Sequence, residues 1–481
     1  MKFNLLTLSS VALCLGCNST QDKKENETSK NELPNVIIFH VDDLGWTDLG
    51  CYGSEYYETP NIDKLCEEGM KFTNAYAPAA ICSPSRASIQ TGKYTARLGV
   101  TDWIRASFQK DTAIDYNNPP EYDLNQCKNM KTPFNINHLD LEEKTIGEYM
   151  KQGGYKTAHI GKWHLGDEKY YPTQQGYDIN IAGCDYGEPP SFFDPYHREA
   201  KTYPWGDEPA FSLPTLEPRK EGEYLIYRLA DEASKIIDEN KDTSFFIFYN
   251  FYGVHTPIEA PGNLIKKYEN KKPSQYHNNP VYAAMIEAVD NAVGQVMNKL
   301  DSLGLTKNTL IFFTSDNGGL LSVTSNHPLR QGKGDAFEGG IRVPFIAKWE
   351  GKIPKNTVSD YPFTSMNLLP TLADILNLET GKDIDGFSMI PELMGDGMET
   401  KDLFWHFPHY RGNNVPYTIV RSDSMKLIKF YDGDSLKMYN LKQDISEEND
   451  LSGSLTDVRD SLLKKIDHFV TQTQAKLPVY K

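Results

Sequence analysis

The chain has 481 residues, with 50 Lys and Arg against 66 Asp and Glu and a formal net charge of −16. That balance argues against general nucleic-acid binding, and it means that an anionic ligand must be held by a local cationic pocket working against the overall field. With 39% hydrophobic and 12% aromatic residues, the chain reads as globular and too long for one small core, suiting a large α/β domain with a smaller second domain.

At the N-terminus Lys2 precedes an apolar run from Phe3 to Leu15 and then Gly16-Cys17. The run falls short of the roughly 18 residues that a spanning helix needs, so it reads as an export signal. Cys17 after Gly16 resembles a bacterial lipoprotein cleavage site, which implies residues 1–17 as signal and a lipid on Cys17. Cys14 departs from the Leu preferred three positions earlier, leaving ordinary signal cleavage as the alternative. Residues 18–32, rich in Asn, Ser, Thr, Lys and Glu, read as a flexible tether. The expectation is an exported lipoprotein, periplasmic or at the cell surface, touching the membrane only through its lipid.

The first domain is expected over 33–360. Asn35 to Val41 is a continuous apolar run ending in Asp42-Asp43, the pattern of a central parallel strand buried on both faces. Open α/β sheets bind ligands at the carboxyl ends of their strands, so two adjacent carboxylates there are poised for a cation. Helical spacing from Thr59 to Glu68 and a strand from Phe72 to Tyr76 follow. Cys82-Ser83-Pro84-Ser85-Arg86 then opens a helix, with serines and a proline where helices begin. Cys82 therefore sits at a helix mouth, where the helix dipole and Arg86 favour an oxyanion.

Phe108 to Asp140 is polar, aromatic and too long for an ordinary connection, as is Gly183 to Glu223; both read as surface insertions walling a cleft. Between them lie a helix over Thr145–Gln152 and a strand over Lys156–Ile160, followed by Gly161-Lys162-Trp163-His164. A helix over Leu225–Asn240, a strand over Phe245–Asn250, a long helix over Val281–Leu303 and a strand over Thr309–Thr314 continue the alternation, which predicts a large mixed, mostly parallel sheet sandwiched by helices. After the last strand comes Asp316-Asn317-Gly318-Gly319. The second domain, 361–481, is expected to be α+β: a helix over Leu368–Leu376, a loop over Pro391–Thr400, short antiparallel strands over Leu403–Tyr439 and a final helix over Leu455–Gln474. Within it, Trp405, His406, His409, Tyr410 and Arg411 have the aromatic and cationic mix that stacks on sugars and pairs with carboxylates. His406, His409 and Arg411 are thus candidate substrate contacts.

The ordered set Asp42-Asp43, Cys82-Ser-Pro-Ser-Arg86 with Thr91-Gly92, Gly161-Lys-Trp-His164, Gly253-Val-His255-Thr-Pro257, Asp316-Asn-Gly-Gly, Lys333 and Phe337-Glu-Gly-Gly-Ile-Arg-Val-Pro344 resembles the type I sulfatases of the alkaline phosphatase superfamily. The resemblance spans about Asn35 to Arg342 and extends more loosely to the C-terminus. It implies that Cys82 is converted by a formylglycine-generating maturation enzyme to 3-oxoalanine, whose hydrate is the nucleophile. It also implies one Ca2+, with Mg2+ the less favoured ion, held by Asp42, Asp43, Asp316, Asn317 and an oxygen of residue 82, an all-oxygen set suited to a hard cation.

By the same resemblance Arg86 steadies the nucleophile, and Lys162 and Lys333 neutralise the sulfate oxygens. His255, with Lys333, protonates the leaving alcohol, and His164 deprotonates the second hydroxyl so that sulfate is released. The implied substrate is a sulfated carbohydrate. A phosphoester or phosphonate hydrolase of the same superfamily is the nearest rival, and a non-catalytic glycan-binding lipoprotein follows if Cys82 is never modified. Cys51, Cys66, Cys127 and Cys184 remain for disulfides, with three connectivities open.

Overall fold

The computed structural model describes residues 33–481 apart from 111–113, 117, 124–127, 204–205, 215, 218–219 and 413. The signal, tether and Cys17 fall outside the described residues, as does Cys127. Among those described, no helix is long and apolar enough to cross a membrane.

Eight strands form the main sheet: β1 (Asn35–Val41), β2 (Met70–Phe72), β3 (Lys156–Gly161), β4 (Ile179–Ile181), β5 (Phe245–Asn250), β6 (Thr309–Ser315), β7 (Phe345–Lys348) and β8 (Thr357–Ser359). Their order is β8-β2-β7-β6-β1-β5-β3-β4, parallel except where β7 runs antiparallel to β6 and β2. The central strand β1 is buried along its whole length. Its side chains still alternate: Ile37, Phe39 and Val41 enter one core and Val36 and Ile38 the other, as the period of two requires.

Helices cover both faces. The principal ones are, in chain order, α1 (Pro60–Glu67), α2 (Cys82–Thr91), α3 (Ile146–Gln152), α4 (Leu225–Glu239), α5 (Pro280–Ser302), α6 (Leu368–Ile375) and α7 (Thr456–Thr473). Helices α4 and α5 supply the core against Ile37 and Phe39, whereas α2, α3 and α6 supply the opposite one. The start of α5 is fixed locally: the Asn279 side chain accepts from the Val281 and Tyr282 amides, and Pro280 takes the first helical position.

The last sheet is an antiparallel meander of β9 (Leu403–Phe407), β10 (Tyr417–Ser422), β11 (Met425–Phe430) and β12 (Ser435–Asn440). One face packs Val420, Leu427 and Met438 against Leu462 and Ile466 of α7. The other packs Trp405, Ile419 and Ile428 against Tyr76, Ile81 and Ile341.

Two local expectations fail, and two segments left open by the sequence gain detail. The strand expected over Phe72–Tyr76 is two, because β2 ends at Phe72 and Ala75–Tyr76 pairs separately with Phe363–Thr364; Thr73 and Asn74 between them bond to Ser359 and Asp360 carbonyls. The loop expected over Pro391–Thr400 opens with a helix, Ile390–Met394, started by Pro391 and stopped by Gly395 at φ 85°. Within the Phe108–Asp140 insertion, Met130–Pro133 forms a strand paired with Tyr122–Asp123 and with Val479–Tyr480. Cys51, Cys66 and Cys184 are free thiols, so none of the disulfides considered is formed among the described residues.

Candidate active site

The parallel strands end together. Val41 of β1 lies in register with Ser315 of β6, and His40 with Asn250 of β5, which in turn pairs with Gly161 of β3. The residues that follow these ends therefore converge: Asp42 and Asp43, Asp316 and Asn317, Lys162 and His164, and His255. Close approach needs Gly161, at φ 88°, where a Cβ would lie 1.7 Å from the Asn250 carbonyl oxygen; the Lys162 amide then donates to that carbonyl at 3.0 Å. Asp43 and His164 both adopt φ near 60° (61° and 60°), a conformation unusual for residues with a Cβ and typical of positions held by a surrounding site.

Ligand oxygens of Asp42, Asp43 and Asp316 all lie within 4.8 Å of one another, and all three residues are buried. Cations answer each carboxylate. Arg86 donates to Asp316 Oδ2 through Nε at 3.0 Å and Nη2 at 2.7 Å. Lys162 Nζ reaches Asp42 Oδ2 at 2.7 Å, and Lys333 Nζ reaches Asp43 Oδ1 at 2.7 Å. Burial pushes Asp316 upward, but Arg86 and Lys162 outweigh it and hold the carboxyl below its usual range. Burial likewise opposes ionisation of Asp43, and Lys333 and His255 overcome it. For Asp42 burial wins, and its affinity for a proton is well above normal.

Two buried oxygens here have no hydrogen-bond partner among the described residues, Asp42 Oδ1 and Asn317 Oδ1. Orphaned buried acceptors beside three carboxylates make a donor set that fits a hard divalent cation. Asn317 Nδ2 donates to Asp43 Oδ1 at 2.8 Å, which turns its carbonyl oxygen away from that carboxylate.

Cys82 is the first residue of α2 and is 5% exposed. Its sulfur lies within electrostatic reach of Arg86 and Lys333. Arg86 is held from behind: Nη1 donates to the Lys162 carbonyl at 3.0 Å and to Asn250 Oδ1 at 3.3 Å. The same Asn250 oxygen accepts from His40 Nδ1 at 2.8 Å, and Asn250 Nδ2 donates to His159 Nε2 at 3.0 Å. Burial, followed by Arg86, lowers His40 to about 4 and His159 to about 3. These neutral histidines support the guanidinium without competing with it for carboxylates.

His164 Nε2 is 2.8 Å from the Ile104 carbonyl, which fixes the proton on Nε2 and leaves the lone pair on Nδ1, a buried atom with no partner. Burial, then Lys162, holds this ring neutral. His255 Nδ1 donates to the Thr256 carbonyl at 2.8 Å and its Nε2 stands 3.7 Å from Asp43. Burial and Lys333 lower it to about 3, against the pull of Asp43. For Lys333 burial works the other way from Asp43, and Asp43 prevails, holding the ammonium charged.

Every residue proposed from sequence for the metal and the chemistry thus lies in this cluster. The C-terminal candidates divide. His406 and His409 are each 4% exposed; His406 bonds through both ring nitrogens, to Thr418 Oγ1 at 2.8 Å and the Lys476 carbonyl at 3.1 Å, and His409 through Nε2 to Thr101 Oγ1 at 2.8 Å. Both are buried in contacts within the protein. Arg411 does reach the site mouth, its stem lying against Gly334 beside Lys333. His40, His159 and Asn250 went unread; their only trace is a polar residue inside each of three apolar strands.

The chain matches the family model described as Sulfatase over residues 34–378 and that described as N-sulphoglucosamine sulphohydrolase, C-terminal, over 333–474. It is 32% identical to a sulfatase of Formosa agariphila over 94% of this chain and 89% of that protein. It is 31% identical to mouse N-acetylgalactosamine-6-sulfatase over 79% and 69%. Among solved structures, Ps i-CgsB in complex with k-i-k-neocarrahexaose superposes with a TM-score of 0.74 at 26% identity, covering 91% of this chain and 93% of that one.

Proposed function

The chain belongs to the sulfatase family and is a sulfuric ester hydrolase, and from that premise we propose that it removes sulfate from sulfated carbohydrates using residue 82 as formylglycine and one Ca2+. The observation that carries the reading is the meeting of Asp42, Asp43 and Asp316 with Arg86, Lys162 and Lys333 at the strand ends beside Cys82.

Asp42, Asp43, Asp316 and Asn317, with an oxygen on residue 82, would hold the cation, which when bound supplies Lewis-acid polarisation of sulfuryl and nucleophile oxygens. The hydrated aldehyde at position 82 would supply two hydroxyls, one to attack sulfur and one whose deprotonation frees the sulfate. Arg86, at the same helix mouth and locked by Asp316 and Asn250, steadies negative charge on residue 82. Lys162 and Lys333 face the sulfate oxygens once their carboxylates are engaged elsewhere. The bare Nδ1 of His164 is the base that the second hydroxyl needs, its tautomer set by Ile104. His255 presents Nε2 to the leaving group. It is neutral in the free site, so an anionic ester beside it, or proton transfer from Lys333, must load it for acid duty.

Sulfate release from defined sulfated mono- and disaccharides, followed by ion chromatography, tests the reading. Turnover of sulfated sugars above matched phosphate esters is expected, and the reverse order would replace it with a phosphohydrolase. We further propose that the protein is exported and lipid-anchored at Cys17, on the N-terminal pattern alone.

A further inference from the structure

We propose that the loop from Thr101 to Arg105, together with Arg411, forms a second anion subsite at the mouth of the site, taking a carboxylate or additional sulfate on the substrate glycan. The proposal rests on the glycan sulfatase reading and names the chemistry of its substrate: a sugar chain carrying a second negative group near the scissile sulfate.

The loop is attached directly to the reacting end of the molecule. Ile104 accepts from His164 Nε2 through its carbonyl and donates its amide to Ser83 Oγ, the neighbour of Cys82, at 2.9 Å. It is also held rigidly by two asparagine side chains. Asn135 Oδ1 accepts from the Thr101 and Asp102 amides at 2.8 and 2.9 Å, and its Nδ2 donates to the Asp102 and Trp103 carbonyls at 3.1 and 3.3 Å. Asn137 repeats the pattern on Arg105, accepting its amide at 2.8 Å and donating to its carbonyl at 2.9 Å. His409 pins Thr101 from the other side. Two amide side chains thus play the part of a neighbouring strand, and a loop with its backbone satisfied in this way is preorganised for binding.

At its exposed end the rigid loop presents a cation, Arg105. The Arg105 side chain is exposed, its guanidinium 5.4 Å from the centre of the half-buried Trp103 ring, a contact that holds it in position while leaving its donors free. It makes no ion pair among the described residues. Arg411 is 36% exposed and meets Asp102 only at 3.9 Å, too long for a hydrogen bond. Its stem packs on Gly334, the residue after Lys333, where a Cβ would come within 3.1 Å of Arg411 Cδ. Arg105 and Arg411 thus offer guanidinium donors in a chain of charge −16, with Asp102 and Asp123 as the neighbouring carboxylates. Planar guanidinium pairs suit carboxylate and sulfate oxygens.

The test compares kcat/KM for disaccharides that share the scissile sulfate and differ in having no second anion, a uronate carboxylate or a second sulfate, with nitrophenyl sulfate as the reference. The wild type should favour a doubly anionic sugar by about tenfold or more, and the favoured member identifies which anion the subsite takes. R105E should invert that preference, R105K should retain part of it, and rising salt should erode it in the wild type. No preference in the wild type, or the same ratio in R105E, overturns the subsite while sulfate release continues to support the parent reading. Absence of sulfate release from every substrate, nitrophenyl sulfate included, overturns both.

Discussion

Three carboxylates and three cations occupy the centre of the site, Asp42, Asp43 and Asp316 against Arg86, Lys162 and Lys333, so with all three carboxylates ionised their charges cancel. Lys162 and Lys333 are then spent on Asp42 and Asp43 rather than offered to a ligand. A divalent cation leaves a surplus of two positive charges and gives the carboxylates another partner. At about 4 Å and an effective dielectric of about 20, each unit pair contributes about 4 kcal/mol, hence about 8 kcal/mol gross toward a singly charged ester. Desolvation of the anion and screening consume much of that. If a third survives, about 2.7 kcal/mol, affinity rises about 100-fold. Titration calorimetry of methyl sulfate, a singly charged ester, into chelator-stripped and calcium-loaded protein reads the difference directly. Equal affinities in the two states would refute the claim that the lysines are withheld by their carboxylates until a cation arrives.

Mass spectrometry of the peptide spanning position 82 should find the thiol replaced by an aldehyde in active protein, and full activity with unmodified cysteine alone would remove formylglycine from the mechanism. His255→Ala should lose about 10²-fold more rate on sugar sulfates than on nitrophenyl sulfate, because a poor leaving group needs the acid; equal losses would strip His255 of that role. Burial raises Glu447 to about 7, with Lys426 opposing and Glu338 adding to it, so the folded state prefers it protonated and stability from this group is lost as pH rises from about 4.5 to 7. Glu447→Gln should therefore gain on the wild type by about 2 kcal/mol in urea unfolding between pH 5 and pH 8, and a pH-independent difference would contradict the assignment. Cys17→Ala should move the protein from the membrane pellet to the soluble fraction, since the several chains of a lipoprotein anchor it firmly; unchanged partition would end the lipoprotein reading.

The strand-end carboxylates were legible because a doubly buried parallel strand reads as an unbroken apolar run, and Asp42 or Asp316 at its end is then conspicuous. Lys333 and His255 lie on loops with no periodicity to place them, and only the ordered motifs brought them in. Polar residues inside strands left no usable trace. His40 and Asn250 sit where an apolar side chain would keep the pattern, and their partnership spans 210 positions. The Asn135 and Asn137 ladders are side chain to backbone, which sequence periodicity cannot report. The burial of His406 and His409 could not be read from composition, because a sugar platform and a domain contact draw on the same aromatic and cationic residues.

The C-terminal sheet is more than cover. Glu338, in the segment just after Lys333, is wholly buried and bonds Lys426 Nζ of β11 at 3.0 Å, Tyr76 at 2.7 Å and Arg342 at 3.3 Å. Its own amide donates to Glu447 beyond β12 at 2.7 Å. Burial works against the Glu338 charge, and Lys426, Arg342 and Arg421 together reverse this and lower it to about 2. The neighbouring Gly340 carbonyl accepts from Gly318, which follows Asn317, while Gly334 bonds to Ala80 before α2 and to Asn414 of the C-terminal part. The Lys333 loop is therefore fixed between the strand that leads into Asp316 and a sheet whose Lys426 lies 88 positions beyond Glu338. Breaking a buried pair of this kind by removing one partner costs about 3–5 kcal/mol, enough to release the loop. Lys333 has its position because the second sheet is docked, so the C-terminal part belongs to the active site although it supplies none of the clustered charges.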